Sequence, residues 1–289
     1  MDKNNETGGA KLSLHSIGSL FSDTWKLYKE RFSTLVEIVL LPVLVTMLGY
    51  ILLGLGFPFS AIGGLVIFVG AILFVFTVLP VIFSIHNTAG VDASYRSAIR
   101  WFWPFVWIAI LEILAMFGGF VMLVVPGIWL IVSFAFVAYV LVIEQRRGID
   151  ALRQSKAYIK GYWWAITGRA ILIAILYCVG VMILEVPAGL IAGRIGAELA
   201  SMAAVLFFVP FSAIYYYNIF MNLRDLKPEL ASVQTKEGTG FIKASAIVGI
   251  VAPVLIIIIL IIFVGVGLFS ARRNVGSYGS LPGSGAQNY

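Results

Sequence analysis

Charged residues are scarce in this chain of 289 residues. Only 12% are Asp, Glu, Lys or Arg, against about 25% in an average soluble domain. One cysteine, Cys178, excludes an intrachain disulfide. The two histidines, His15 and His86, stand in no metal-binding spacing. We therefore expect no metal and no cofactor.

Catalytic sequence patterns are missing as well. The chain contains no H-E-x-x-H, no G-x-S-x-G and no phosphate-binding glycine loop. It also has no polar segment long enough to form a soluble catalytic domain. We therefore predict that the protein is not an enzyme. An intramembrane enzyme would need converging catalytic groups, and the sequence offers none.

Long apolar runs are what the chain does contain, since 61% of its residues are apolar. A helix rises about 1.5 Å per residue, so about twenty apolar residues cross the roughly 30 Å hydrocarbon core of a bilayer. The fold class predicted is an all-α polytopic membrane bundle of six core helices in three hairpins, plus a seventh helix. The predicted spans are 33–54, 61–85, 102–124, 128–143, 162–185, 199–222 and 243–269.

Three basic and aromatic segments lead into the hairpins: 14–32, 94–103 and 150–164. Their apolar residues recur every three or four positions, which predicts amphipathic helices in the membrane interface. An internal duplication and a shared need for interfacial anchors explain these segments equally well. The predicted anchors are Trp25, Lys26, Lys29, Arg100, Trp101, Lys160, Trp163 and Trp164.

The basic residues lie mainly on one side of the spans. Seventeen of the 20 Lys and Arg residues fall before span one, after spans two, four and six, or at the adjoining helix ends. The positive-inside rule then places the N-terminus in the cytoplasm and, with seven spans, the C-terminus outside. The net charge of +6 therefore indicates membrane lipids with anionic headgroups as partners, and not nucleic acid. The sequence does not reveal protein partners or oligomeric state.

The polar stretches suggest the domain boundaries. We predict a disordered tail at 1–13, a six-helix membrane domain at 14–222, a cytoplasmic linker at 223–242, an extra transmembrane helix at 243–271 and a disordered tail at 272–289. Val125-Pro126-Gly127 predicts a tight reversal between spans three and four. Pro187, Arg194 and Glu198 are assigned to a short loop between spans five and six.

Three charged residues lie inside the predicted spans and away from their ends: Glu37, Glu112 and Arg169. Their depths below the cytoplasmic interface come to about 8, 15 and 10 Å at the helical rise. Because charge within hydrocarbon is costly, such groups need partners. They form either a polar site for an ion, a proton or an anionic headgroup, or an ion-paired packing element between helices.

Part of the chain resembles a known family. The matching residues are Ala151-Leu152, Ser155, Lys160-Gly161, Trp163-Trp164 and Gly168-Arg169, with Val125-Pro126-Gly127-Ile128 upstream and Phe21, Trp25 and Phe32 near the N-terminus. This pattern resembles the membrane domain of the family named after glycerophosphoryl diester phosphodiesterases, and also its uncharacterised six-helix bacterial relatives. The resemblance covers about residues 14–222.

The resemblance implies a six-helix bundle in a prokaryotic cell membrane, here with an added C-terminal helix. Enzymatic members of that family carry their phosphodiesterase chemistry on a separate soluble barrel, and no such domain is encoded in this sequence. The activity therefore does not transfer. Two functions remain open: a non-catalytic protein that organises membrane lipid or partner proteins, or a transporter or channel using Glu37, Glu112 and Arg169.

Overall fold

The computed structural model describes residues 14–232 and 240–258. Every regular element in these ranges is an α-helix. Within the described residues, six helices are long and apolar enough to cross a membrane, which confirms the all-α polytopic bundle. The predicted tails at 1–13 and 272–289 lie outside the described residues.

The chain divides into two compact units. The first comprises Met1–Glu112 and Trp129–Thr239, and the second comprises Ile113–Ile128 and Gly240–Tyr289.

Helix α1 runs without a break over Ile17–Gly54. The Ser16 hydroxyl caps its start by accepting a hydrogen bond from the Ser19 N–H at 3.1 Å. We predicted an interfacial helix over 14–32 followed by a separate span from 33, and this division is wrong. No glycine or proline lies near residue 33 to interrupt the helix, so it extends for about 57 Å.

The second predicted span, 61–85, is two helices, α2 at Phe59–Phe76 and α3 at Val78–Asn87. Pro80 has no N–H and cannot donate to the carbonyl one turn earlier, which weakens the helix at this point. The Thr77 hydroxyl donates to the Leu73 carbonyl at 2.7 Å across the break. Helix α4, Val91–Arg100, follows.

Helix α5 covers Phe102–Met122 and α6 covers Val124–Ser133. The reversal between them therefore lies at Leu123, and the reversal that we placed at Val125-Pro126-Gly127 is wrong. Pro126 instead occupies the first turn of α6, where a missing N–H removes no helical hydrogen bond. Helices α7, Val137–Ile143, and α8, Ile149–Ile159, complete this part of the chain.

Helix α9, Trp163–Leu226, is interrupted at Ala192 and Gly193. Gly193 has φ of 62° and ψ of −149°, a conformation that glycine adopts without steric cost. The arms 163–191 and 194–226 fold back on each other, and the rings of Tyr177 and Phe208 lie 5.6 Å apart. The loop predicted around Pro187, Arg194 and Glu198 is wrong, because the reversal needs only two residues.

The predicted linker over 223–242 is largely helical where it is described. Helix α9 continues to Leu226, α10 covers Pro228–Ser232, and α11 covers Gly240–Ile258. Residues 233–239 lie outside the described ranges, as does the predicted continuation of the last helix to 271.

The second unit joins the end of α5 to α11 by close backbone packing. A Cβ added at Gly118 would collide with the Ser245 backbone oxygen, and one added at Gly249 would collide with the Leu114 oxygen. Small residues allow two membrane helices to approach this closely. Helix α11 therefore has a specific packing partner.

The core of the first unit lies towards the ends of the helices that carry the basic residues. Leu35, Ile38, Tyr158, Tyr215 and Phe220 are all fully buried there. In contrast, only 6% of the residues in the most apolar 18-residue stretch of α9 are buried. Apolar side chains that face outward over such a length are suited to lipid.

Candidate functional site

The three predicted intramembrane charges do not contact one another. Among the described residues, Arg169 donates from Nη2 to the His15 carbonyl at 2.7 Å and from Nη1 to the Ala165 carbonyl at 3.1 Å. Glu37 is exposed on α1, and Glu112 is half-buried on α5. No ion pair joins these three described residues, so the cluster predicted from their depths is not formed by direct contacts.

The structure instead presents an open groove between α1 and both arms of α9. We call it the aromatic groove, and its volume is about 590 Å³. Its walls are almost entirely apolar. The lining residues are Phe21, Trp25, Tyr28, Lys29, Phe32, Ile173, Leu176, Phe207, Phe208 and Phe211.

Ring contacts hold the walls of the aromatic groove in place. Tyr28 stacks on Trp25 with centroids 5.7 Å apart and meets Phe211 edge-on at 5.6 Å. Phe32 stacks on Phe207 at 5.6 Å. The Tyr28 hydroxyl donates to the Phe207 carbonyl at 3.1 Å, which satisfies the one polar atom of that ring. The groove is therefore preformed.

The helical rise gives the depth of the aromatic groove. About twenty residues separate Gly193, at the hairpin tip of α9, from Ile173 in the groove, which corresponds to about 30 Å. This distance equals the hydrocarbon thickness of a bilayer. If the tip lies at one membrane surface, the groove lies at the headgroup level of the opposite leaflet.

One cation lines the aromatic groove, and a second lies one helical turn from it. Lys29 lines it directly and is exposed. Arg169 lies one turn from Ile173 along the first arm of α9, so it shares the same helical face. A ligand that fits these features has an apolar chain and a negatively charged end.

The predicted interfacial anchors have varied surroundings. Trp25, Lys26, Lys29, Arg100, Lys160 and Trp164 are exposed, whereas Trp101 and Trp163 are half-buried. The Arg147 guanidinium lies 4.8 Å from the centre of the Trp101 ring. Trp163 donates from Nε1 to the Trp129 carbonyl at 3.4 Å. All four tryptophans among the eight anchors thus make contacts inside the first unit, since Trp25 also stacks on Tyr28 and Trp164 meets Trp163 edge-on at 4.7 Å.

No family model, curated protein or solved structure matches this chain. The resemblance to the phosphodiesterase-associated membrane domain therefore stays a prediction.

A buried carboxylate lies outside the predicted sites. The Glu144 side chain is 3% exposed and accepts a hydrogen bond from the Tyr158 hydroxyl. Arg224 Nε lies 3.9 Å from the same carboxylate oxygen, Oε1. The other oxygen, Oε2, is buried without a hydrogen-bond partner among the described residues. Burial raises the pKa of Glu144, and Tyr158, Arg224, Arg146 and Gln154 oppose that rise.

Lys227 lies next to this carboxylate network and closes the end of α8. Its Nζ donates to the carbonyls of Ala157, Tyr158 and Lys160 at 2.8, 2.9 and 2.6 Å. Carbonyls at the end of a helix have no partner within the helix, and a cation there also interacts favourably with the negative end of the helix dipole. Burial lowers the pKa of Lys227.

The described residues contain no group of three His, Cys, Asp or Glu side chains placed to hold a metal ion. His86 Nδ1 lies 3.1 Å from the Tyr217 hydroxyl, so the histidine has a partner within the bundle. Cys178 is exposed on α9.

Sequence reasoning found half of the aromatic groove. The spacing of Phe21, Trp25, Tyr28 and Phe32 predicted an apolar face on α1, but it did not identify the partner. The density of phenylalanine at Phe207, Phe208 and Phe211, three within five residues, could have indicated the second wall. Glu144 had no local signal, because its burial depends on α8 and α9.

Proposed function

We propose that this protein is a non-catalytic multi-pass protein of a prokaryotic cell membrane that organises lipid by binding anionic phospholipid in the aromatic groove. Its N-terminus faces the cytoplasm, and the groove opens to the cytoplasmic leaflet. The observation that carries the proposal is the preformed aromatic groove of about 590 Å³ with Lys29 on its wall.

The apolar part of the groove suits an acyl chain. In a bilayer the chain exchanges one apolar environment for another, so selectivity must come from shape and from the headgroup. Rigid aromatic walls supply shape, since ordering the chain against them requires little rearrangement of the protein. Lys29 supplies the charge preference from the groove wall. Arg169 adds positive potential one turn from the groove, although its guanidinium also donates to backbone carbonyls.

The transport hypothesis lacks comparable support. It depended on Glu37, Glu112 and Arg169 forming one polar level, and these described residues make no hydrogen bond or ion pair with one another. Arg169 uses its guanidinium on backbone carbonyls. We therefore propose the lipid-organising function alone.

A pair of tryptophan substitutions tests the lipid site. Leu176 lines the groove, whereas its neighbour Ile175 is 55% exposed and does not. We expect Leu176→Trp to fill the groove and to reduce retention of phosphatidylglycerol in native mass spectra by about tenfold, the equivalent of about 1.4 kcal/mol. Ile175→Trp should retain lipid like the unmodified protein. Equal retention by the two variants would refute the proposal.

A further inference from the structure

A second hollow lies near the opposite ends of the same helices. We call it the outer cleft, and it consists of two adjoining cavities of about 550 and 460 Å³ between α1, α2 and the second arm of α9. The cavities share Tyr50, Glu198 and Met202, so they form one continuous space. None of the residues of the aromatic groove lines it.

Polarity changes along the outer cleft. Arg194, Glu198 and Tyr50 lie at the end next to the hairpin tip at Gly193. Towards the middle of the membrane the lining residues carry no charge, and Val43 and Val205 lie at the far end. Eleven residues of α9 separate Arg194 from Val205, which corresponds to about 16 Å. The charged groups of the cleft thus lie at the tip end, where the headgroup of an amphiphile would lie.

The charged end of the outer cleft carries both signs. Arg194 Nε lies 3.6 Å from Glu198 Oε1, one turn away on the same helix face. This distance exceeds that of a charge-assisted hydrogen bond, and the side chains are 89% and 48% exposed. An exposed pair of this kind contributes little to stability. Both groups therefore remain able to bind a ligand.

The geometry points to a specific ligand class: we propose that the outer cleft binds a phospholipid whose headgroup combines a phosphate with a primary ammonium group, in the leaflet opposite the aromatic groove. The guanidinium of Arg194 offers paired N–H donors for phosphate oxygens. The carboxylate of Glu198 accepts N–H hydrogen bonds from the ammonium group. A quaternary ammonium headgroup cannot donate these bonds, and an anionic headgroup without an amine leaves Glu198 unpaired.

Lipid competition with the full-length protein tests this assignment. The protein in detergent is offered phosphatidylethanolamine, phosphatidylcholine and phosphatidylglycerol with identical acyl chains, and bound lipid is counted by native mass spectrometry. The unmodified protein should retain the ethanolamine lipid over the choline lipid by about three- to tenfold, the equivalent of one hydrogen bond of ordinary net strength. Equal retention of these two lipids would overturn the proposal.

Substitutions in the outer cleft test whether the preference for the ethanolamine lipid arises there. Glu198→Gln should remove the preference for the ethanolamine lipid. Arg194→Gln should reduce retention of the ethanolamine and choline lipids by similar factors. The control is Arg96→Gln, which breaks another exposed pair spaced four residues apart, with Asp92, and should change nothing. Met202→Trp should reduce retention of both lipids, because Met202 lines both cavities. An unchanged ethanolamine preference in Glu198→Gln would overturn the assignment even if the aromatic groove still binds its own lipid.

Discussion

Arg169 donates a hydrogen bond from Nη2 to the backbone carbonyl of His15 at 2.7 Å, and it thereby ties the start of α1 to the first arm of α9. The two residues are 154 positions apart in the chain. The His15 N–H in turn donates to the Asn222 Oδ1 at 2.9 Å, on the second arm. One residue therefore joins α1 to both arms of α9, beside the aromatic groove.

Replacing Arg169 tests this connection. Arg169→Gln removes the hydrogen bond to His15 and should destabilise the protein by about 1 kcal/mol, the usual net contribution of one such bond. Thermal unfolding in detergent measures the change. The control is Arg100→Gln, which replaces an exposed arginine. Arg169→Gln should also lower the retention of phosphatidylglycerol, while the retention of lipids without net charge should stay unchanged. A variant with unaltered stability and retention would show that Arg169 contributes to neither.

Glu144 predicts a dependence of stability on pH. Burial raises its pKa, so the folded state binds the proton more tightly than the unfolded chain does. The stability that this proton provides is complete below the unfolded pKa of about 4.3 and is lost as the pH rises through the raised folded value.

Glu144→Gln removes that titration. We expect its melting temperature to vary less than that of the unmodified protein between about pH 4 and about pH 8. The exposed variant Glu30→Gln should follow the unmodified protein, since it leaves the buried carboxylate intact. If Glu144→Gln retained the full pH dependence, the titrating group would lie elsewhere.

Lys227 is expected to hold the end of α8 closed. Lys227→Met keeps much of the apolar stem but loses all three hydrogen bonds to the α8 carbonyls. Hydrogen exchange at residues 157–162 should accelerate by about tenfold or more, since three charge-assisted bonds are lost. Lys160→Gln retains the backbone carbonyl that Lys227 uses and should leave this exchange unchanged. Unaltered exchange in Lys227→Met would contradict the capping role.

The close packing in the second unit predicts the effect of a larger residue at Gly118. Gly118→Leu would place side-chain atoms where the Ser245 backbone oxygen lies, so α11 must move away. Faster hydrogen exchange or proteolysis within 240–258 would report this. Gly64→Leu is the matched control, because a Cβ at Gly64 meets no atom within 4 Å. Equal exchange in the two variants would show that α11 does not depend on this contact.

The apolar runs determined the fold class because lipid imposes a simple requirement on helix length and polarity. The prediction of helix ends was less accurate, and each error has a local reason. Spans were separated wherever charged residues appeared, yet Lys29 and Arg31 continue inside α1 because charge alone does not end a helix. The loop at Arg194 was inferred from polarity, whereas Ala192 and Gly193 supply the turn.

The candidate site was only partly predictable for a different reason. Depth along a helix can be counted from the sequence, but the direction in which a side chain points depends on which helices become neighbours. Glu37 and Arg169 have similar counted depths and still point to different surroundings. In contrast, the aromatic face of α1 was predictable because its spacing alone defines one side of a helix.

Photo-cross-linking with an anionic phospholipid tests the central proposal most directly. A phosphatidylglycerol carrying a photoreactive acyl chain is incorporated into membranes with the unmodified protein, and the labelled peptides are identified by mass spectrometry. We expect labelling concentrated at residues 21–32 and 207–211, with a marked loss in Leu176→Trp but not in Ile175→Trp. Labelling spread evenly over residues 182–184, which are exposed on the first arm of α9, and unaffected by Leu176→Trp, would contradict the proposal.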